Sequence, residues 1–252
     1  MPSTSKPRIQ ARMPNTAMVL AAGKGTRLAQ ASDGLPKPLV EVAGRPLIDH
    51  ALDTLADAGI ARAVVNTHHM AERIERHLAD RTPPEILISR EDHLLNTGGG
   101  TAKALPLLGA EPFFVMNADL VWGEGGSHAL ARLAAGWNDA EMDALLLLYP
   151  TARVFGYDGL GDFLCDPIGH LRARPERHVA PFMYTGAQLV HPRLFEGVEE
   201  GAFPFNDLWR KAEADGRLFG IVHDGEWLDA GTPERLAHAR SALGDSRQGV
   251  LL

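Results

Sequence analysis

Apolar positions along this chain fall into two rhythms, and their alternation predicts the architecture before any single residue is weighed. Residues 17–22 form a short unbroken apolar run, the pattern of a strand covered on both faces. A long loop over 23–42 follows, and then apolar residues recur every three or four positions from Leu47 to Ala58, with Pro46 in front and Gly59 behind. Proline at a helix start and glycine just past its end are the usual punctuation. Residues 63–66 read as a second strand, 71–80 as a second helix and 85–89 as a third strand. This β-α-β-α-β order predicts a parallel sheet with helices on both faces.

The rhythm continues through a glycine-rich turn, Asn96 to Gly100, which opens a helix. Residues 112–119 then read as a buried strand ending in the carboxylate of Asp119, 126–137 as a helix and 144–149 as a strand. Beyond Pro150 the texture changes. Short β-like pieces at 161–165, 168–171 and 182–190 are separated by Gly, Pro and Asp, and they predict a small β insertion over the cleft. A helix at 205–214, a strand at 218–222 and a final helix at 234–243 close the pattern. No repeat, heptad or linker marks a second domain, so 17–243 is expected to be a single domain, with a flexible leader at 1–16 and a frayed tail at 244–252.

Composition narrows the function. With 252 residues, 45% hydrophobic and 23% charged, the chain has an ordinary globular balance and can bury a full core. A net charge of −7 argues against a broad nucleic-acid surface, whose footprint is basic. Cys165 is the single cysteine, which excludes an internal disulfide and a multi-cysteine zinc site. No run approaches the roughly 18–20 apolar residues that cross a bilayer. Residues 1–16 lack the apolar core of a signal peptide. The expected location is the cytoplasm, with no membrane partner.

Candidate chemistry starts at the end of the first strand. Gly23, Lys24, Gly25, Thr26 and Arg27 make a loop whose glycines let backbone N–H groups approach an anion closely. Lys37 follows, held between Pro36 and Pro38. The loop has Leu28 where a dinucleotide fingerprint has its third glycine, and Gly25 where a P-loop needs Ser or Thr after the lysine. A plain strand-to-helix turn would not need three cations, so a polyphosphate is the natural guest. Ligands of open α/β sheets bind beyond the carboxyl ends of the strands, which lets Asp119 share a cleft with this loop. His68 and His69, as strand neighbours, point to opposite faces and make a poor metal pair.

Leu20 to Leu28 followed by Pro36-Lys37-Pro38 resembles the signature of the sugar-1-phosphate nucleotidyltransferases, which condense a nucleoside triphosphate with a sugar 1-phosphate to give an NDP-sugar and pyrophosphate. The likeness spans 17–243. Through Thr97–Gly100, Gly161-Asp162-Phe163, Thr185-Gly186 and Trp227 to Thr232, it extends in particular to the N-acetylmuramate 1-phosphate uridylyltransferases of peptidoglycan recycling. The resemblance implies a three-layer Rossmann-like fold with a mostly parallel mixed sheet, and Mg²⁺ as cofactor, held by Asp119 and Asp229. It implies that Leu20, Ala21, Ala22 and Gly23 line the nucleotide through backbone groups, joined by Gly25, Thr26 and Asn117. Gly98 and Gly99 would pack the base and ribose. Lys24 and Arg27 would hold the β- and γ-phosphates, and Lys37 would neutralise the α-phosphate and the incoming sugar phosphate. Asp162 would reach sugar hydroxyls, with Thr185 and Gly186 under the sugar. Arg27, Lys37 and Asp119 are thus the expected catalytic residues.

Plainer roles stand beside these. Asp119, Asp162 and Asp229 could each serve a turn, and Arg27 a surface ion pair. The chain also departs from the family pattern. Gln30-Ala31-Ser32 replaces a common Pro-Leu-Thr, Ala118 replaces a glycine before Asp119, and His93 to Asn96 give no clear base code. Base and sugar therefore stay open: GTP with mannose 1-phosphate or dTTP with glucose 1-phosphate would suit the same signature. A non-catalytic nucleotide-sensing relative is the other class, and the joint presence of Lys37, Asp119 and Asp229 argues against it.

Overall fold

In the computed structural model, which describes residues 13–28, 32 and 34–248, the first apolar run becomes strand β1 (Thr16–Leu20). Residues 1–12 of the expected leader and 249–252 of the expected tail lie outside the described residues. The chain continues through β2 (Glu41–Val42), β3 (Arg45–Pro46), α1 (Leu47–Asp57), β4 (Arg62–Thr67), α2 (Ala71–Leu78), β5 (Glu85–Arg90) and α3 (Asn96–Leu108). Next come β6 (Phe113–Asn117), β7 (Leu120–Trp122), α4 (Ala129–Gly136), β8 (Ala144–Pro150), β9 (Phe163–Cys165) and β10 (Leu171–Ala173). The last elements are β11 (Phe182–Val190), α5 (Phe205–Ala214), β12 (Leu218–Val222), β13 (Trp227–Asp229) and α6 (Pro233–Gln248).

The main sheet runs β5-β4-β1-β6-β11-β8-β12, and β9 and β10 extend from the first residues of β11. Strands β5, β4, β1 and β6 are mutually parallel, as are β8 and β12. Strand β11 runs against both its neighbours. Side chains of each central strand alternate between two apolar layers. Ala17, Val19, Val65 and Met116 pack with Leu52, Ile74 and Leu130 of α1, α2 and α4. Met18, Val64 and Val115 pack with Ala104 of α3 and Leu208 of α5 on the other face. Both faces are covered, which is why these strands read as unbroken apolar runs. The protein is a three-layer α/β fold with a mostly parallel mixed sheet.

A third apolar cluster lies beside the sheet and matters more for the site. Val121 of β7, Leu228 of β13, Leu236 of α6, Val42 of β2 and Leu28 of the glycine loop share it. It pins the loop's far end and draws the C-terminal elements onto the N-terminal ones. Four features were not expected. Residues 182–190, read from sequence as part of the β insertion, form β11 inside the main sheet between β6 and β8, and only β9 and β10 extend from its start. Residues 41–46 form a hairpin whose turn residues, Ala43 and Gly44, both have positive φ (52° and 73°), as the tightest hairpin turn requires. Strands β7 and β13 pair with each other outside the main sheet. Helix α6 runs on to Gln248, so the stretch 244–248 is helical where fraying was expected.

Candidate active site

Three parallel strands end level with one another. Leu20 of β1 lies opposite Asn66 of β4 and Asn117 of β6, so the chain leaves the sheet there with its backbone groups facing a common crevice. The Asn66 side chain takes up the slack. Its oxygen accepts the Ala21 N–H at 2.8 Å, and its Nδ2 donates to Glu91 Oε1 at 2.7 Å. The second Glu91 oxygen accepts the Leu95 N–H at 2.9 Å, just before α3. Asn66 and Glu91 are each 3% exposed. A Cβ on Gly100 would stand 2.5 Å from Glu91 Oε1 and 2.7 Å from Asn66 Nδ2, so only glycine lets α3 close over the pair. The clamp ties the loop after β1 to the start of α3. Glu91→Ala would strip partners from two buried donors, at about 1–3 kcal/mol each. Thermal unfolding is therefore expected to shift down by roughly 5–10 °C; an unchanged midpoint would mean that these hydrogen bonds do not stabilise the fold.

The glycine loop is shaped by Lys37. Gly25 has φ +61°, and a Cβ there would sit 2.8 Å from Lys37 Cβ. Pro36, Lys37 and Pro38 wind into a short 3₁₀ turn in which Leu39 N–H donates to Pro36 O at 2.8 Å. The prolines fix φ on both sides of Lys37, and its ammonium pairs with the Asp119 carboxylate. Both side chains are about one-fifth exposed (18% and 22%). Ala118 N–H donates to Leu20 O at 3.1 Å, which seats Asp119 beside the loop.

These residues wall a cavity of about 340 Å³. Of the residues singled out from sequence, Leu20, Ala21, Ala22, Gly23, Gly25, Thr26, Arg27, Lys37, Asn117 and Asp119 line it. Leu94, Asn96 and Thr97, from the stretch where a base code was sought and the glycine turn after it, line it as well, and so does Asn66, which was not anticipated. Lys24 is exposed and lies outside the lining. Gly98 and Gly99 also lie outside it: their N–H groups both donate to Phe203 O, at 2.9 and 3.0 Å. A Cβ on Gly98 would stand 2.5 Å from the Phe203 ring, and one on Gly99 2.1 Å from Gly201 O. Here the glycines admit the chain's own 201–203 segment, which also consumes the N–H groups that would otherwise make this helix start an anion site.

A second cavity of about 500 Å³ adjoins the first, and Leu20, Thr97 and Asn117 belong to both walls. Asp162 lines it together with Arg174, Tyr184, Trp209 and Arg210. Asp162 accepts the Tyr184 N–H at 2.9 Å. Desolvation by the surrounding walls raises its carboxyl above the ordinary range, opposed by that hydrogen bond and by the charge of Arg174. Thr185 and Gly186 stay behind the wall. Thr185 is 1% exposed and donates to Leu147 O at 2.9 Å. A Cβ on Gly186 would meet Asn117 Nδ2 at 2.7 Å, so this glycine lets Asn117 reach the junction of the two cavities.

Asp229 comes close by a different route. In the β7–β13 ladder it pairs with Leu120, the residue after Asp119. Its carboxylate accepts the Gly231 N–H at 2.7 Å and an Arg235 N–H at 2.5 Å. It lines a small neighbouring cavity rather than the first one, while Gly231 reaches the first. Among the described residues, no group of three or more His, Cys, Asp or Glu gathers as a ready metal cage. His68 is engaged with Glu91 O at 2.9 Å.

Residues 16–246 match the family model described as nucleotidyl transferase. The chain is 39% identical over 238 residues to an N-acetylmuramate alpha-1-phosphate uridylyltransferase of Caulobacter vibrioides, covering 92% of this chain and 98% of that protein. It is 33% identical to a protein of the same name from Neisseria meningitidis serogroup B, covering 90% and 98%. A crystal structure of a UDP-glucose pyrophosphorylase complexed with UDP-glucose superposes with a TM-score of 0.73 at 17% identity, over 92% of this chain and 99% of the other, a likeness of fold.

Proposed function

This chain belongs to the nucleotidyl transferase family, and from that premise we propose that it transfers a uridylyl group from UTP to N-acetylmuramate 1-phosphate, giving UDP-N-acetylmuramate and pyrophosphate. The observation that carries the reading is the pair of adjoining cavities. One is walled by a glycine loop with Arg27 and Lys37, the other by Asp162 and aromatic side chains, and they meet at Leu20, Thr97 and Asn117. A triphosphate and a sugar phosphate need this arrangement: separate seats and a shared reacting centre. The choice of uridine and muramate is supported by the two relatives of that name, whose lengths this chain matches almost fully. Such a product would feed reuse of peptidoglycan sugars in the cytoplasm, where nucleoside triphosphates are held.

In this reading a sugar phosphate oxygen attacks the α-phosphorus in line and pyrophosphate leaves. Positioning and charge neutralisation dominate such transfers. Backbone groups of Leu20 to Gly23 hold the nucleoside, with the Asn66–Glu91 clamp keeping that backbone still. Lys37 turns from Asp119 to the phosphates as they arrive, and its flanking prolines limit how far it moves. Arg27, on the same wall, neutralises the departing pyrophosphate; Lys24 lies near enough in sequence to help if the loop folds over. Asp162 accepts hydrogen bonds from sugar hydroxyls.

The acidic donors suit a magnesium ion. This small hard cation takes one or two carboxylates and fills its remaining positions with phosphate oxygens and water. Asp119 and Asp229, on adjacent strand ends, offer that number, and each is now paired with a cation, Lys37 or Arg235. When bound, the ion would neutralise phosphate oxygens and stabilise charge at the α-phosphorus.

The decisive assay is pyrophosphate release from each common nucleoside triphosphate against a panel of sugar 1-phosphates. Turnover should be greatest with UTP and N-acetylmuramate 1-phosphate and should stop on chelation. Release with GTP and mannose 1-phosphate instead would move the chain elsewhere in the family. Nucleotide binding without release under any pairing would make it a sensor.

A further inference from the structure

We infer that Arg210 reads a negative charge carried by the sugar itself, apart from its phosphate, and so selects an acidic sugar 1-phosphate over a neutral one. This rests on the sugar 1-phosphate reading above and extends it to substrate choice. Helix α5 turns Phe205, Trp209 and Arg210 toward the second cavity. Two guanidiniums therefore face that cavity in a chain of net charge −7, and they differ in what they do for the fold.

Arg174 is committed to the fold through two of its three nitrogens. Its Nε donates to Gly161 O at 3.0 Å, and its Nη1 donates to Pro175 O at 3.2 Å and His178 O at 3.1 Å. It staples the loop that carries Asp162. Arg210 ties no distant segment among the described residues. Its side chain is 72% exposed, and it pairs with Asp207, one helical turn earlier, at 2.9 Å. An exposed pair of this kind is weak, so a ligand carboxylate can displace it at little cost. The acidic groups facing the same cavity are otherwise engaged: Glu213 accepts the Ala173 N–H at 3.2 Å, and Asp162 the Tyr184 N–H. Arg210 also lies outside the lining of the first cavity, away from the junction where the reacting phosphate must sit. Neutral hydroxyls do not need a guanidinium, whereas a carboxylate matches its planar fork. N-acetylmuramate differs from N-acetylglucosamine by a lactyl ether that ends in such a carboxylate.

The test measures kcat/KM with UTP for the 1-phosphates of N-acetylmuramate and N-acetylglucosamine, in the unchanged chain, Arg210→Ala and Arg210→Lys. Arg210→Ala should reduce the acidic-to-neutral ratio by about 10- to 100-fold, the usual worth of a hydrogen bond to a charged group, chiefly through KM. Arg210→Lys should restore part of it. The lactyl methyl ester should give one kcat/KM for the unchanged chain and Arg210→Ala alike. A ratio that Arg210→Ala leaves within about twofold, in a chain that does turn over the muramate substrate, overturns the assignment of Arg210 and leaves the proposed function standing. An unchanged chain that prefers the neutral sugar overturns both.

Discussion

Lys37→Ala is expected to lower kcat by about 10³-fold, the scale of losing one preorganised charge-stabilising donor, while the fold stays intact. Stability should hardly change, for two reasons visible in the geometry. The Cβ that Gly25 packs against is retained, so the glycine loop keeps its shape. The carboxylate left behind, Asp119, is 22% exposed and can be hydrated, which limits the cost of losing its partner. Steady-state pyrophosphate release and a thermal midpoint measured on the same preparation separate the two effects. A rate within tenfold of the unchanged chain would remove Lys37 from the transfer step. Lys37→Arg should not rescue it fully, because a planar fork cannot occupy the site of a compact ammonium held between two prolines.

Asp119→Asn should reduce turnover by a similar factor, with a different signature. The substitution keeps the shape and keeps an oxygen for Lys37, so the loss would come from charge. If Asp119 is a carboxylate donor to magnesium, the concentration of Mg²⁺ giving half-maximal rate should rise as kcat falls. Nucleotide binding in the absence of metal should stay close to normal or tighten, since one negative charge beside the phosphates has gone. Retention of most of the rate at ordinary Mg²⁺ would sink the metal role. Asp229→Asn makes a useful contrast. Asp229 also anchors Arg235 and the Gly231 N–H, so its removal should disturb the start of α6 and show in the unfolding midpoint as well as in the rate.

The parts of the site that were legible in the sequence are those written locally. The apolar run of β1, the glycines after it and the Pro36-Lys37-Pro38 turn are neighbours in the chain, and backbone rules alone give them meaning. The Asn66–Glu91 clamp was invisible because its members lie 25 residues apart and act on Ala21, a further 45 residues from Asn66. A polar residue closing an otherwise apolar strand was the available signal. Gly98, Gly99 and Gly186 teach a related lesson. A glycine reports that something approaches closely, and the sequence cannot say whether the visitor is a ligand or another part of the chain. At all three positions the structure puts the protein's own atoms there. The hairpin β2–β3 and the β7–β13 pair escaped notice because strands of two or three residues have no period to read. The wall of the second cavity is assembled from an insertion and a helix far apart in sequence; Gly161-Asp162-Phe163 announced part of it, whereas Arg174 and Arg210 belong to no motif.

Strand β11 has a consequence for how the molecule is made. It sits between β6 and β8 and pairs antiparallel with both, yet it is synthesised after each of them. Until residue 190 has been added, β6 presents an open row of N–H and C=O groups along apolar residues that are fully buried in the finished protein. Such an unpaired edge is a template for the wrong partner, and closing it needs contacts between distant parts of the chain, which form slowly. The same late strand carries Tyr184 to the second cavity and Gly186 to Asn117. The second cavity therefore trails the first: a nascent chain that has its glycine loop in place still lacks the Tyr184 wall, and the glycine that makes room for Asn117, until that strand slides home.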